Sequence, residues 1–259
     1  MSLSVTILTR NSETAIGRCL DSVVWADEII VVDSGSTDRT LEICREHGAK
    51  VHPTPDWPGF GPQKNRALGF ASGTWVFSLD SDEWVTPELR AEIERSITAP
   101  GGMAAFMMPR SSTFCGRVMR HSGWWPDYVV RLFRRGAAHF SDDLVHERLI
   151  VDGLTGRLSA PLLHEAVPDL DAMMNKTNSY STASALMLNR KGRRGSLLAA
   201  ILHGAWTFLR TYIFRLGFLD GREGFILAVA NAEGSYYRYL KLMLLSEKSR
   251  NSSVVSRES

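Results

Sequence analysis

The chain has 259 residues, 44% of them hydrophobic and 22% charged, an ordinary globular composition that excludes collagen-like, disordered and disulfide-scaffold classes. Three scattered cysteines, Cys19, Cys44 and Cys115, form neither a disulfide framework nor a zinc motif and fit a reducing cytosol. The formal net charge of +2 hides an asymmetry: residues 1–189 carry 18 Lys and Arg against 23 Asp and Glu, whereas residues 190–250 carry 11 against 4.

The opening MSLSVTILTRN reaches Arg10 after one strand-length apolar run, whereas an export signal has a basic start and a longer apolar stretch, so export is not expected. Residues 4–8 (SVTIL) and 28–32 (EIIVV) read as buried strands, with a helical stripe of Ala15, Cys19, Leu20, Val23 and Val24 between them. DSGSTDRT leads into a helix over about 38–46, and 50–52 reads as a short third strand. The Pro- and Gly-rich HPTPDWPGFGP precedes a helix over 63–71, a strand over 74–79 (TWVFSL) and a helix after Pro87. Strands alternating with helices predict an α/β fold with a mostly parallel sheet. Short strands over 103–109, 129–133, 144–151 and 157–163 predict a mixed extension of that sheet, and 170–190 reads as a helix.

The C-terminal part is both basic and apolar. SLLAAILHGAWTFL (196–209) lies between Arg194 and Arg210, and FILAVANA (225–232) leads into YYRYLKLMLL (236–245). Neither run reaches the roughly 18–20 uncharged residues of a membrane span. Amphipathic, aromatic-rich helices flanked by Arg and Lys suit a membrane interface with anionic lipid. A helical hairpin packed on the main domain is the plainer alternative. No recognition-helix or RNA-binding motif accompanies the charge, so nucleic acid is not expected as a partner. The expected division is a catalytic domain over 1–165, a helical, basic, membrane-associating region over 166–250 and a disordered tail over 251–259.

In a parallel sheet, ligands bind beyond the carboxyl ends of the strands. Here those ends are polar: Thr9, Arg10 and Asn11 with Glu13 close behind, then Asp33 to Ser36, then Asp80, Ser81 and Asp82. Each carboxylate alone also reads as a turn former or helix cap. Two carboxylates at i and i+2 leaving a buried strand make a compact oxygen site for Mg²⁺ or Mn²⁺ that leaves positions open for phosphate oxygens. A Walker A sequence, a GxGxxG fingerprint and a GxSxG elbow are all absent, which argues against P-loop, dinucleotide and serine-hydrolase chemistry. An Asp-nucleophile phosphatase would carry its DxD at the first strand, and here it is central.

Taken together, TILTRNSE, IVVDSGSTDRT, GFGPQKNRALGFASGTWVFSLDSDEW, GWWPDYVVRLFRRG and LVHERL resemble the inverting family 2 glycosyltransferases of GT-A fold. The subgroup they resemble most adds a hexose to the lipopolysaccharide inner core, often as a β-1,4-glucosyltransferase, and GFLDGREGFILA (217–228) is also similar to it. The resemblance implies that Thr9, Asn11 and Glu13 line the nucleotide base and ribose, with Ser12 replacing an acidic residue often found there. It implies further that Asp33 contacts uracil, that Lys64 and Asn65 lie near the nucleotide, that Asp80 is near the ribose and metal, and that Asp82 binds the metal. His164 stands where such enzymes often supply a further ligand.

An inverting transfer needs a carboxylate to take the proton from the attacking hydroxyl. Glu147 in LVHERL is the candidate, with Asp142 and Asp143 as rivals. Trp124, Trp125 and Asp127 are candidates for an acceptor-sugar platform, core packing being the alternative for the tryptophans. The expected activity is transfer of a hexose, glucose above all, from a UDP-sugar to a lipid-linked saccharide in lipopolysaccharide core biosynthesis, with Mg²⁺ or Mn²⁺ as cofactor. The expected place is the cytoplasmic face of a bacterial inner membrane. Two rivals stay open: transfer to a polyprenyl phosphate, and a catalytically silent, membrane-tethered module that binds nucleotide sugar.

Overall fold

Strands and helices alternate along the first third of the chain: β1 (Leu3–Thr9), α1 (Ile16–Asp21), β2 (Glu28–Asp33), α2 (Thr40–Glu46), β3 (Lys50–Pro53), α3 (Phe60–Phe70) and β4 (Trp75–Asp80). The computed structural model describes residues 1–141 and 148–255. β1, β2 and β4 are buried almost throughout, as apolar runs covered on both faces must be. Parallel pairing sets Thr9 beside Asp33 and Leu8 beside Asp80, so the three polar strand ends share one rim. The α1 stripe differs from expectation in one respect. The helix ends at Asp21, so Ile16 joins Cys19 and Leu20 in the core while Val24, beyond the helix, is 62% exposed.

The chain continues with β5 (Glu83–Val85), α4 (Pro87–Thr98), β6 (Ala105–Phe114), β7 (Arg117–Val118) and β8 (Asp127–Arg134), then β9 (Ala138–Phe140), β10 (Leu149–Val151), β11 (Thr155–Arg157) and β12 (Leu162–Val167). Pro87 opens α4 where its missing N–H is harmless, and the Thr86 hydroxyl accepts from the Leu89 N–H at 3.1 Å. The sheet order is β3-β2-β1-β4-β8-β6-β12-β5, with β8 antiparallel to β4 and β6. This is the predicted α/β sheet with a mixed extension, except that β10, the described part of the strand expected over 144–151, pairs with β9 in a separate two-stranded sheet. The single strand expected over 157–163 is two strands. Pro161 cannot donate to a ladder, and the pairing changes around it: β11 runs parallel to β6, whereas β12 takes its place in the sheet between β6 and β5.

The chain forms two compact units, Met1–Ser111 with Pro126–His164, and Ser112–Trp125 with Glu165–Ser259. The second holds α5 (Leu170–Arg190), α6 (Leu197–Leu209) and α7 (Gly221–Val255), with a π-helical turn at Arg210–Phe214 and a 3-10 turn at Gly217–Asp220. Asp169 and Ser196 cap α5 and α6 by accepting from the Ala172 and Ala199 N–H groups. Lys241 ties α7 to α5 through Asn178, Ser181 and Thr182. The GFLDGREG segment is structural: the buried Asp220 accepts from the Arg120 and His121 N–H groups at 3.0 Å and from the Ser122 hydroxyl at 2.9 Å. A side chain on Gly224 would come within 1.9 Å of the Gly217 carbonyl oxygen, which explains the glycine there. The apolar stretch is longer than the sequence suggested. Helical structure runs through Arg210 to Phe214, giving 18 residues of mean hydropathy 1.3, long and apolar enough to cross a membrane by length and composition and only 17% buried.

At the opposite edge from the polar rim, Glu28 begins β2 and is 8% exposed. Its carboxylate accepts from Ser4 on β1, from the Ser72 N–H and hydroxyl before β4, and from Lys50 on β3 at 2.8 Å. Burial alone would raise its pKa, but the bonds from Lys50, Ser4 and Ser72 prevail and lower it to about 2. Because the folded value lies below the unfolded one, this stabilisation is complete above about pH 4.5 and is lost as pH falls towards 2. The loss is on the order of 3 kcal/mol. Urea unfolding at pH 7, 5, 4 and 3 is expected to show a less stable Glu28→Gln variant that loses correspondingly less stability on acidification. A variant with the same acid slope as wild type would refute this role.

Candidate active site

The loops after β1 and β2 are laced together at the rim. Asn11 has φ of 50°, a left-handed conformation that asparagine tolerates, and its side-chain oxygen accepts from the Thr37 N–H at 2.8 Å. Glu13 accepts from the Arg39 N–H at 3.0 Å. Asp33 is 1% exposed: one oxygen accepts from the Thr9 and Ser36 hydroxyls, the other from the Gly35 and Ser36 N–H groups. A carboxylate has about four lone-pair sites, and all are taken. Asp33 therefore organises the loop in this geometry, and its side chain presents no free oxygen for the uracil contact that the resemblance implied.

Asp80 closes β4 in a cluster of opposite charges. Lys64, 5% exposed on α3, lies 3.0 Å from one Asp80 oxygen, and Arg131 on β8 bonds the other. Arg131 also reaches Glu83 at 2.6 Å, and Arg110 joins Glu83 to Asp127 at 3.2 and 2.7 Å. Burial would raise the Asp80 pKa, yet Arg131 and Lys64 hold it well below the usual carboxylate range. Glu83 is fully buried. The sequence reading missed Glu83, Arg110 and Arg131. The available signal was a charge inside the apolar run VVRLF, since a buried cation in a strand requires a counter-charge nearby.

Asp82 escapes this cluster. Its side chain is 37% exposed and lies 3.6 Å from the His164 imidazole, because β12 runs antiparallel to β5 with His164 opposite Glu83. Among the described residues no three or more His, Cys, Asp or Glu side chains gather as a metal cage. Of the expected trio, Asp82 and His164 approach each other at 3.6 Å, whereas the Asp80 oxygens meet Lys64 and Arg131. One carboxylate and one imidazole suit Mn²⁺ better than Mg²⁺, which prefers oxygen throughout, and leave most of an octahedral sphere for phosphate and water.

The remaining expected residues lie apart from this rim or have other roles. Both ends of the Asn65 amide bond the Phe140 backbone at 2.8 Å, fastening α3 to β9. Trp124 packs edge-on against Phe114 in the apolar cluster of the second unit, and Trp125 lies under the Arg120 guanidinium. Asp127 belongs to the first unit and pairs with Arg110. Glu147, Asp142 and Asp143 lie outside the described residues. The flanking Ser141 and Arg148 bond each other, with the Ser141 N–H donating to the Arg148 carbonyl at 2.9 Å.

Residues 4–150 match the sequence profile of glycosyl transferase family 2. The chain belongs to that family. It is 31% identical, over 93% of its length and 90% of the relative's, to the lipopolysaccharide core biosynthesis glycosyltransferase LpsC of Rhizobium meliloti. It is 30% identical to an uncharacterised glycosyltransferase of Rickettsia typhi, over 96% of this chain and 89% of that one. The crystal structure of Staphylococcus aureus TarS residues 1–349 in complex with UDP-GlcNAc superposes with a TM-score of 0.51 at 17% identity, covering 97% of this chain and 92% of that one, a likeness of fold. This family 2 glycosyltransferase thus carries the GT-A arrangement expected from its motifs.

The charge cluster makes a measurable claim about the family 2 domain. Arg131→Met would leave Glu83 and Asp80 short of a buried counter-charge, so unfolding free energy in urea is expected to fall by about 3–5 kcal/mol. Arg110→Met, at a side chain 23% exposed, is expected to cost less. Equal losses from the two variants would refute the ranking.

Proposed function

We propose that the protein transfers glucose from UDP-glucose, with inversion, to a sugar of the lipid-borne lipopolysaccharide core. The observation that carries this reading is the Asp82–His164 pair, its carboxylate partly exposed at the rim beside an Asp80 met by Lys64 and Arg131. The name of the Rhizobium relative supports the acceptor class, and the UDP-GlcNAc held by TarS supports a UDP-sugar donor. Asp82 and His164 would hold Mn²⁺ or Mg²⁺, which when bound supplies positive charge to the departing diphosphate. The cation pair on Asp80 fixes that strand end, so the Asp82 backbone is positioned without spending Asp80 as a ligand. In this reading Glu147 takes the proton of the acceptor hydroxyl as its oxygen attacks the anomeric carbon, with Asp142 and Asp143 as the rivals for that role.

The second unit supplies the place of action in this proposal. Leu198, Ile201, Leu202, Trp206, Leu209 and Ile213 stand 46–65% exposed along α6 and the turn after it. Arg190, Lys191, Arg193 and Arg194, all exposed, precede the helix. An apolar face bordered by cations fits the surface of an anionic bilayer, where a lipid-anchored acceptor resides.

UDP release from UDP-glucose with purified protein and extracted lipid A–core tests the activity. Release with polyprenyl phosphate and none with core acceptor would overturn the acceptor assignment, and none with either would favour a silent binding module. Asp82→Ala is expected to abolish metal-dependent UDP binding, and His164→Ala to weaken it more in Mn²⁺ than in Mg²⁺. Glu147→Gln is expected to slow turnover by roughly 10²–10⁴-fold with UDP affinity unchanged. Unchanged UDP affinity of Asp82→Ala in Mn²⁺ would sink the metal assignment.

Vesicle co-sedimentation at two salt concentrations tests the membrane assignment. Neutralising Arg190, Lys191, Arg193 and Arg194 together is expected to weaken binding to anionic vesicles, each charge contributing roughly 1 kcal/mol, and to make what remains less sensitive to salt. Lost thermal stability with unchanged vesicle binding would instead assign those residues to packing.

A further inference from the structure

A cavity of about 230 Å³ opens within the second unit between α5, α7 and the segments carrying Phe114, Trp124 and Val167. Its lining is graded along both helices. On α7 it runs from Leu227 and Ala230 to Ser235 and Arg238, and on α5 from Met173 to Tyr180 and Ser181. One end is therefore continuous with the apolar cluster of Phe114, Val167, Met173 and Leu227. The other end is polar.

The charge at this cavity is one-sided. Its lining includes Lys176 and Arg238 and no carboxylate. Lys176 donates to the Ala166 carbonyl at 3.0 Å, which leaves further ammonium protons to offer. Arg238 is more telling. Its Nε is one of two buried side-chain nitrogen or oxygen atoms among the described residues that find no hydrogen-bond partner, the other being the Nε of Arg131 within the ion cluster. An unsatisfied buried donor is costly, and a charged one more so, unless an acceptor from elsewhere meets it. Lys241 on the same helix is spent on α5, where it bonds Asn178, Ser181 and Thr182 and keeps the two helices in place.

We propose that this cavity binds the anionic head of an amphiphile, a phosphate carried on an apolar chain, with Arg238 and Lys176 on the phosphate and the chain against Trp124, Met173 and Leu227. A charged head matches the two cations, and an apolar tail matches the far end of the lining, whereas inorganic phosphate would use only half of it. The volume lies below the usual range for a whole drug-sized ligand, so the site takes the head and the first part of the chain. None of the lining residues belongs to the rim that carries Asp80 and Asp82, so the site stands or falls independently of the transfer reaction.

Isothermal titration of the full chain with octyl phosphate below its micelle concentration tests this, with octyl glucoside and inorganic phosphate as comparison probes. Saturable binding of one octyl phosphate is expected, at least tenfold tighter than either comparison probe and at least tenfold weaker in Arg238→Gln. Because the buried Arg238 Nε has no hydrogen-bond partner in the protein to lose, Arg238→Gln is expected to melt no lower than wild type without ligand and to bind UDP unchanged. Equal octyl phosphate affinity in wild type and Arg238→Gln would overturn the proposal, as would octyl glucoside binding as tightly as octyl phosphate. Inorganic phosphate matching octyl phosphate would overturn the amphiphile in favour of a plain anion site. A lower melting temperature of Arg238→Gln without ligand would assign the guanidinium to the fold and overturn it as well.

Discussion

A carboxylate at the end of a buried strand needs groups to meet its charge, and the catalytic half of this protein is arranged around the cations that do so at Asp80. Lys64 arrives from α3 and Arg131 from β8. Arg131, itself buried, requires a second acid, which Glu83 supplies, and Glu83 draws in Arg110, which ends on Asp127. Three cations and three carboxylates thereby settle one another across α3, β4, β5, β6 and β8. Fixing Glu83 also fixes β5 against β12, and that pairing brings His164 to Asp82. Of the acids in DSDE, Asp82 lies outside this network of Lys and Arg and is thus the one left to a cation from outside.

The loops beyond the first two strands solve a related problem with neutral groups. Asp33 has no cation among its bonding partners and is satisfied by two hydroxyls and two backbone N–H groups. That arrangement bends the chain sharply after β2 and lets Asn11 and Glu13 bind the returning backbone at Thr37 and Arg39. Two acids at equivalent strand ends therefore differ in kind, one holding a loop and the other anchoring a network of charge.

What was legible in the sequence follows the range of the interactions. Local periodicity was enough for β1, β2 and β4, and α5 runs from Leu170 to Arg190 as its pattern indicates. The break at Pro161 was missed because strand identity there depends on partners far away in sequence, β6 and β5. Glu83 and Arg131 were missed for the same reason: their meaning is mutual, across 48 residues. Trp124 looked like a sugar platform on composition, but its ring meets Phe114, a contact only the folded chain could reveal. The resemblance put Asp82 and His164 near one another, and the pairing of β5 with β12 accounts for their 3.6 Å approach.

The π-helical turn at Arg210–Phe214 has a consequence for how this region tolerates insertions and deletions. Its i→i+5 bonds place one more residue in the turn than an α-helix holds, so by its end the side chains lag by about one residue, or roughly 100° of rotation. Phe214, at 67% the most exposed large apolar residue on this stretch, takes its direction from that lag. Deleting any single residue between 210 and 214 that let the α-helical pattern resume would leave charge and hydropathy almost unchanged. It would nonetheless turn everything after Leu209 by that same angle, so the length of this segment is constrained even where the identity of its residues is not.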